Sequence, residues 1–449
     1  MAATSVPTRP RQDAADLDVR ALHRHAVDAA IWGLPIVAFD AMRRAFFRDG
    51  DARYGDFVYL SRLPDARFQM PAPDPSTLHV QSHFNTWASP LVIEVPPTRE
   101  AGLCGAILDA WRVPLVDIGP DGEDEGDGAS YLVLPPGYDR DVPLGYIPVR
   151  SETYNGFLQL DVSPTSSSEA HRLSAVALIH GLRWYALSQA GHPPEPRHVD
   201  VAGASFDVSV HYDDTFYDSL ARILGEEPVL RCDLAATAHL RAIGISRRSR
   251  FEPGSGTRAV LRAAAAEVHA ALAGAVAAGV RVFRDASWTG RSAAGVDTSY
   301  RFRAGDDYFL EERAAATYRG DTPFRYAGAS AAQFWSASDS EGQPLHGERS
   351  YRLRVPPRSD GGRSWNVCAY DRASCTFIRH SPRVAVDGRD DVTRNADGSV
   401  DVYFGPVPPE AGDRNWVATA PGTPWLAVFR VGRTGVMDRG WALPDLAPL

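Results

Sequence analysis

Short apolar runs fenced by proline and glycine limit most strongly what this chain can fold into. Between residues 56 and 163 they recur at close intervals. Leu91-Val92-Ile93-Glu94-Val95 lies between Pro90 and Pro96, and Ala106-Ile107-Leu108, Tyr131-Leu132-Val133-Leu134, Tyr146-Ile147-Pro148-Val149 and Phe157-Leu158-Gln159-Leu160 follow. Runs of this length, rich in branched and aromatic residues and closed by turn formers, predict strands of a sandwich. The pattern returns after Gly342 with Tyr351 to Val355, Trp365 to Tyr370, Cys375 to Ile378, Val400 to Phe404 and Trp425 to Val431. Asn395-Ala396-Asp397-Gly398 predicts a hairpin turn, because Asp-Gly accepts the positive φ angles such turns require.

Helical spacing occupies the rest. Leu22, Ala26, Ala30 and Ile31 place a helix over about 14–48, with Pro35 expected to kink or break it near Gly33. Ser166-x-x-Glu169 has capping-box spacing and predicts a helix to about Ala190, closed by Gly191 and Pro193. Further helices are expected from Thr215 to Gly225, from Leu230 to Ile243, and over the alanine-rich stretch Thr257 to Arg281.

At 449 residues, the chain calls for two or three domains. A net charge of −9 argues against a nucleic-acid partner, which needs clustered positive charge. Every basic residue is arginine, so Schiff-base, pyridoxal-lysine and Walker-lysine chemistry is excluded. Four cysteines without a CxxC pair suit neither a disulfide framework nor a cysteine zinc site. Met1 to Leu17 is polar and lacks the apolar core of a signal peptide, and the apolar stretch Ala29 to Phe39 is too short to span a bilayer. The expected setting is therefore cytoplasmic, with no membrane and no cofactor.

A family resemblance rests on ordered residues in both halves. In the C-terminal third these are Asp339-x-x-Gly342-x-x-Leu345-x-Gly347, Tyr351, Pro356-Pro357, Trp365, Tyr370-Asp371, Asn395-x-Asp397-Gly398-Ser399, Asn415-Trp416, Pro421, Arg430 and Trp441 with Pro444. This order resembles the bacterial domain-of-unknown-function family numbered 1214. Upstream, Trp32-Gly33-x-Pro35, Pro90 through Pro96, Asp109-x-Trp111 and Tyr131 through Pro135 resemble its usual partner, numbered 1254. The resemblance implies a mainly β chain with helical segments: an N-terminal β-sandwich, a helical middle and a C-terminal jelly-roll sandwich. With the strand and helix patterns it divides the chain into a helical segment (14–55), a β-sandwich (56–165), a helical middle region (166–335) and a jelly-roll sandwich (336–449). It implies no chemistry. This chain departs from the family pattern at Ser76-Thr77-Leu78-His79, at Leu160-Asp161 and near Gly119, which suggests a rebuilt pocket and a specialised substrate.

His79 and His83 are the leading candidates for chemistry. At H-x-x-x-H spacing on a helix they could share zinc, but the resemblance places them in extended structure, about 13 Å apart. There they would face one cleft as acid–base groups. The plain alternative is two ordinary histidines on a polar strand face. Asp109, Trp111 and Arg112 form a second cluster on an expected strand, Asp109 and Trp111 on one face and Arg112 on the other. A core tryptophan with a structural carboxylate is the competing account. Trp335 could wall a pocket or fill a core. Asn415 and Trp416, after Arg414, read as a ligand-contact loop, and Arg430 as an anion clamp or an internally paired arginine.

These readings combine into an expected small-molecule enzyme of specialised metabolism. It would carry out cofactor-independent acid–base hydrolysis, elimination or isomerisation in a cleft of the N-terminal sandwich. His79, His83 and Asp109 would be catalytic, and Ser76, Trp111, Arg112, Trp335, Asn415, Trp416 and Arg430 would contact substrate. No metal is assigned, and the partner is the small-molecule substrate, with homo-oligomerisation open. Two other readings stand beside it: a non-catalytic, lectin- or capsid-like binding or assembly module, and a metal-dependent enzyme using both histidines.

Overall fold

A computed structural model describes residues 11–98, 101–290, 302–304, 307–321, 332–357, 365–410, 412, 414–431 and 441–449. The first ten residues of the polar N-terminal segment lie outside it. The helical pattern that follows forms one helix, α1 (Arg11–Arg48), which runs through Pro35 without a break. Pro35 forfeits one backbone hydrogen bond. Its neighbours Leu34, Ile36, Val37 and Phe39 are all buried, so packing holds the turn that propensity would open. By length and composition α1 could cross a membrane, but most of that stretch is buried inside the protein.

Five more helices lie among the described residues: α2 (Glu169–His180), α3 (Thr215–Glu226), α4 (Ala236–Ala242), α5 (Ser255–Ala275) and α6 (Leu310–Arg319). The helix expected to reach Ala190 stops at His180. Ser168, not Ser166, caps its start, with Oγ accepting from the His171 N–H. Arg183–Ala186, part of that expected helix, is a strand paired with Leu91–Val95. Two aromatics, Trp184 and Tyr185, suit a sheet better than a solvent-facing helix end. Helix α6 had no counterpart in the sequence reading.

Two large sheets flank these helices. The N-terminal six-stranded sheet has the order His198–Asp200, Phe57–Tyr59, Leu78–Asn85, Asn155–Ser163, Gly102–Asp109, Pro114–Ile118. A four-stranded sheet (Arg183–Ala186, Leu91–Val95, Ala129–Leu134, Ile147–Arg150) shares an apolar cluster with it through Leu78, Val80, Ile93, Tyr131, Leu158 and Leu160. The C-terminal half repeats the arrangement. Its six-stranded sheet runs Val280–Arg281, Thr289–Gly290, Ala332–Ser336, Trp425–Val431, Trp365–Asp371, Ala385–Asp387. Its four-stranded sheet is Trp416–Ala418, Val400–Gly405, Tyr351–Val355, Ala447–Pro448, and Val367, Phe429, Leu353 and Val402 bring the two together.

The other face of each six-stranded sheet turns toward the helices. One central cluster contains Ala106, Leu108 and Phe157 from the first, Trp335, Cys368, Tyr370 and Val428 from the second, and apolar residues of α1, α3, α4, α5 and α6. Helix α1 packs against all four of those helices.

Two C-terminal expectations change, one of a hairpin and one of a strand. Asn395 accepts from the Gly398 N–H, and Gly398 has φ +82°, as an Asp-Gly turn requires. The turn leads into Val400–Gly405 but does not join two paired strands, because Ala385–Asp387 pairs with Trp365–Asp371 instead. Cys375 to Ile378 is not a strand. It contributes one isolated bridge, Phe377 to Tyr370, and stacks its phenyl ring on that tyrosine.

Candidate functional site

Alternation along Leu78–Asn85 sends His79, Gln81 and His83 to the helix-facing side of the N-terminal sheet. Directly opposite on the next strand stand Asp161, Gln159 and Phe157. His79 is only 4% exposed. Its Nδ1 lies 2.6 Å from Asp161 Oδ1, its Nε2 lies 3.0 Å from the Asp74 carbonyl, and its ring stacks on Phe68. Burial pulls the imidazole pKa down, but Asp161 and Asp74 outweigh it and hold the value above that of an ordinary histidine. Both neighbours are acceptors, so each ring nitrogen faces an oxygen that belongs to the fold. Buried and engaged at both nitrogens, the ring is closed to a substrate.

His83 is in the opposite situation. It is fully buried, neither ring nitrogen has a hydrogen-bond partner among the described residues, and Phe39, Phe46 and Phe157 enclose it. Burial, reinforced by the nearby Arg43 charge, pushes its pKa down to about 3, so the ring is neutral.

Asp109 does not join the histidines. It ends its strand, and its carboxylate accepts from the backbone N–H groups of Trp111 and Val113, closing a turn. Ala110-Trp111-Arg112 is that turn and not the expected strand, with Arg112 at φ +59°. Burial raises the Asp109 pKa to about 7 against the pull of those two N–H groups. Trp111 donates its indole N–H to Asp233, which also accepts from Trp32. Arg112 lies over the Phe157 ring. The cleft expected to hold His79, His83 and Asp109 together is therefore absent from these described residues.

His79 instead belongs to a buried network that crosses between the halves. Asp74 Oδ1 accepts from Ser76 N, Ser76 Oγ and Asn366 Nδ2. Asn366, Cys368 and Tyr370 share one face of their strand, and Arg430 stands opposite Asn366 on the next. Arg430 Nη1 donates to Tyr370 Oη at 3.0 Å and to Cys368 Sγ at 3.6 Å, and Nη2 donates to the Ala72 carbonyl at 2.9 Å. Tyr370 Oη donates to the Pro73 carbonyl. Burial pushes the Cys368 thiol up to about 12, so it is no nucleophile at neutral pH. Arg430 is thus internally paired. Ser76, His79 and Asp161, three of the positions read as departures from the family pattern, meet in this joint.

The remaining candidates serve packing. Trp335 is buried beside Tyr370 in the central cluster. Trp416 lies in a strand and donates its indole N–H to the Gly405 carbonyl. Asn415 spends its amide on Thr393 N, Thr393 O and Asp401 O. The expected Arg-Asn-Trp contact loop is the start of a sheet strand.

An opening lies elsewhere, at one end of the N-terminal sheet. A depression of about 470 Å³ is lined by Tyr54, Asn85, Trp87, Tyr154, Gly225, Glu226 and Arg247. Trp87 sits in the turn after Leu78–Asn85, is 72% exposed, and meets Tyr154 edge to face at 4.6 Å. The floor is pinned. Asn155 Oδ1 accepts from Tyr54 Oη and Asn85 Nδ2, while its Nδ2 donates to Glu226 and Glu227. Arg43 on α1 grips Glu226 through both carboxylate oxygens, at 2.6 and 3.1 Å, and also donates to Tyr54 Oη. That grip offsets the unfavourable placement of an acid at the carbonyl end of α3. Glu227 is fully buried. Burial raises its pKa even though it accepts from the N–H groups of Tyr154 and Asn155. None of these residues was a site candidate from sequence, where Gly225 enters only as a helix end. An aromatic in the polar turn Asn85-Thr86-Trp87-Ala88-Ser89-Pro90 was the available signal.

Fold and geometry define a mainly β protein of two halves, joined by a helical layer and a buried polar network. Residues 54–185 match the family described as protein of unknown function (DUF1254), and residues 330–434 match that described as protein of unknown function (DUF1214). The two matches stand in tandem, in the order the sequence signatures imply. No curated protein matches it. Among solved structures, it is similar to the VPA0106 protein from Vibrio parahaemolyticus, with a TM-score of 0.56 and 15% identity, covering 95% of this chain and 100% of that one. A weaker likeness, with a TM-score of 0.40 and 13% identity, joins it to an uncharacterised protein from Burkholderia cenocepacia over 98% of this chain and 95% of that one.

Proposed function

We propose that this chain binds a small organic molecule in the depression walled by Tyr54, Trp87 and Tyr154. One observation carries the reading: a largely exposed tryptophan stands over a polar floor whose side chains are fixed by their own hydrogen bonds. Binding sites pair apolar walls with a few placed polar groups, and preorganisation lowers the entropy cost of using them. If chemistry accompanies binding, the acid–base group is Glu226, which faces the opening, and not His79 or Asp109, which are both buried away from it. We also read each half as a β-sandwich and the C-terminal one as a jelly roll. What supports this is the apolar cluster shared by each six-stranded sheet with its four-stranded partner.

The test is a thermal-shift screen of the whole chain against a library of sugars, organic acids and amines, repeated with Trp87→Ala. Compounds that raise the wild-type midpoint should fail to raise that of the variant. Compounds that stabilise both equally would remove the site assignment.

A further inference from the structure

We infer that the depression is built for a polyhydroxylated carboxylate, a sugar acid. This rests on the depression being the ligand site, and it follows from counting what the lining residues still have to offer. Tyr54 Oη accepts from Arg43 and donates to Asn155, so Tyr54 offers only its ring. Glu226 Oε2 accepts from Arg43 and Asn155, whereas Oε1 accepts only from Arg43 and keeps a lone pair. Asn85 has given one amide hydrogen to Asn155, and its Oδ1 has taken one from the Trp87 N–H. One amide hydrogen and one lone pair remain.

The floor therefore presents two acceptors and one donor, and the Glu226 and Asp40 charges are met by Arg43, which pairs with both, and by Arg222, which pairs with Asp40. Such a set does not select a cation. It suits neighbouring hydroxyl groups, each of which both donates and accepts.

The walls narrow the choice further. The Trp87 and Tyr154 rings stand at 67° and already touch. They form a corner, not a slot, so no flat molecule can slide between them. An exposed indole face in a corner suits the C–H face of a puckered ring. At the rim, Arg247 is exposed, in the turn after α4, and forms no ion pair among the described residues. An unpaired guanidinium beside a charge-balanced floor places a carboxylate at the ligand's outer end.

Isothermal titration of the full chain with D-glucuronate, D-glucose and benzoate tests the assignment. Glucuronate should bind tightest, with glucose and benzoate each weaker by at least about tenfold, the gap left by losing a charged partner or a set of hydroxyl contacts. Arg247→Ala should bring glucuronate down to glucose, and Trp87→Ala should weaken both sugars by about tenfold or more. Benzoate binding as tightly as glucuronate, with both lost in Trp87→Ala, would overturn the sugar-acid class and leave the site standing. Binding of none of the three would overturn the class and leave the site to the library screen. Glucuronate affinity unchanged in Trp87→Ala would overturn the site and the class together.

Discussion

At the scale of single residues, the two histidines of one strand show how position sets chemistry. They lie four residues apart on the same face, yet two acceptors favour the protonated form of His79, while burial among three phenyl rings holds His83 neutral. His83 predicts a pH effect. An unfolded histidine titrates near 6.5, whereas this one titrates at about 3 when folded. Between those values the unfolded chain binds a proton that the folded chain refuses. Stability is therefore fully present above the upper value and falls as pH drops through the window, by about 1.4 kcal/mol per unit. His83→Leu removes that proton and two unpartnered nitrogens. Urea denaturation should show the variant at least as stable as wild type at pH 7, with its advantage growing toward pH 4 as the other titrating groups cancel in the difference. A constant difference across that range would refute this account of His83.

At the scale of elements, neighbouring strands meet closely at Gly156. A Cβ there would sit 2.3 Å from Phe84 Cζ and 2.4 Å from the Leu108 carbonyl oxygen, so no rotamer change relieves both contacts. Gly156→Ala should cost about 1–3 kcal/mol in chemical denaturation, as overpacking does. Gly256→Ala, in open space at the start of α5, should cost nothing measurable.

Most strands were legible because each is a short apolar run with a stop at both ends, as Leu91–Val95 shows. Boundaries failed where tertiary contacts overruled local signals. Packing carried α1 through Pro35, and a sheet edge took Arg183–Ala186 from a helix. Turn formation bent Ala110-Trp111-Arg112 out of an expected strand. The site was less legible still. Ser76, His79 and Arg430 do converge, but in a joint whose other members, Asp74, Asn366 and Tyr370, come from segments about 290 residues apart. No local pattern encodes such a meeting. Trp87, Tyr154 and Glu226 come from three separate turns and helix ends, and a sequence displays none of their proximity.

At the scale of the whole molecule, polar side chains divide their labour. The interior set ties the halves together: Arg430, Tyr370 and Asn366 of the C-terminal sheet reach Ala72, Pro73, Asp74 and Ser76 of the N-terminal half. Buried charge of this kind is costly to leave half-paired, which makes it a register device between sheets. The depression at the far end of the N-terminal strands is where the molecule meets solvent with aromatic and polar groups in fixed positions. A paired comparison of His79→Gln and Trp87→Ala, reading melting temperature and ligand affinity on the same samples, separates the two roles. His79→Gln should lower the melting temperature by several degrees, at about 2–4 °C per kcal/mol for a domain of 150–250 residues, and leave affinity within about twofold of wild type, under 0.5 kcal/mol. Trp87→Ala should do the reverse. Loss of affinity in His79→Gln at an unchanged melting temperature would place the chemistry back on the histidine strand and contradict the account.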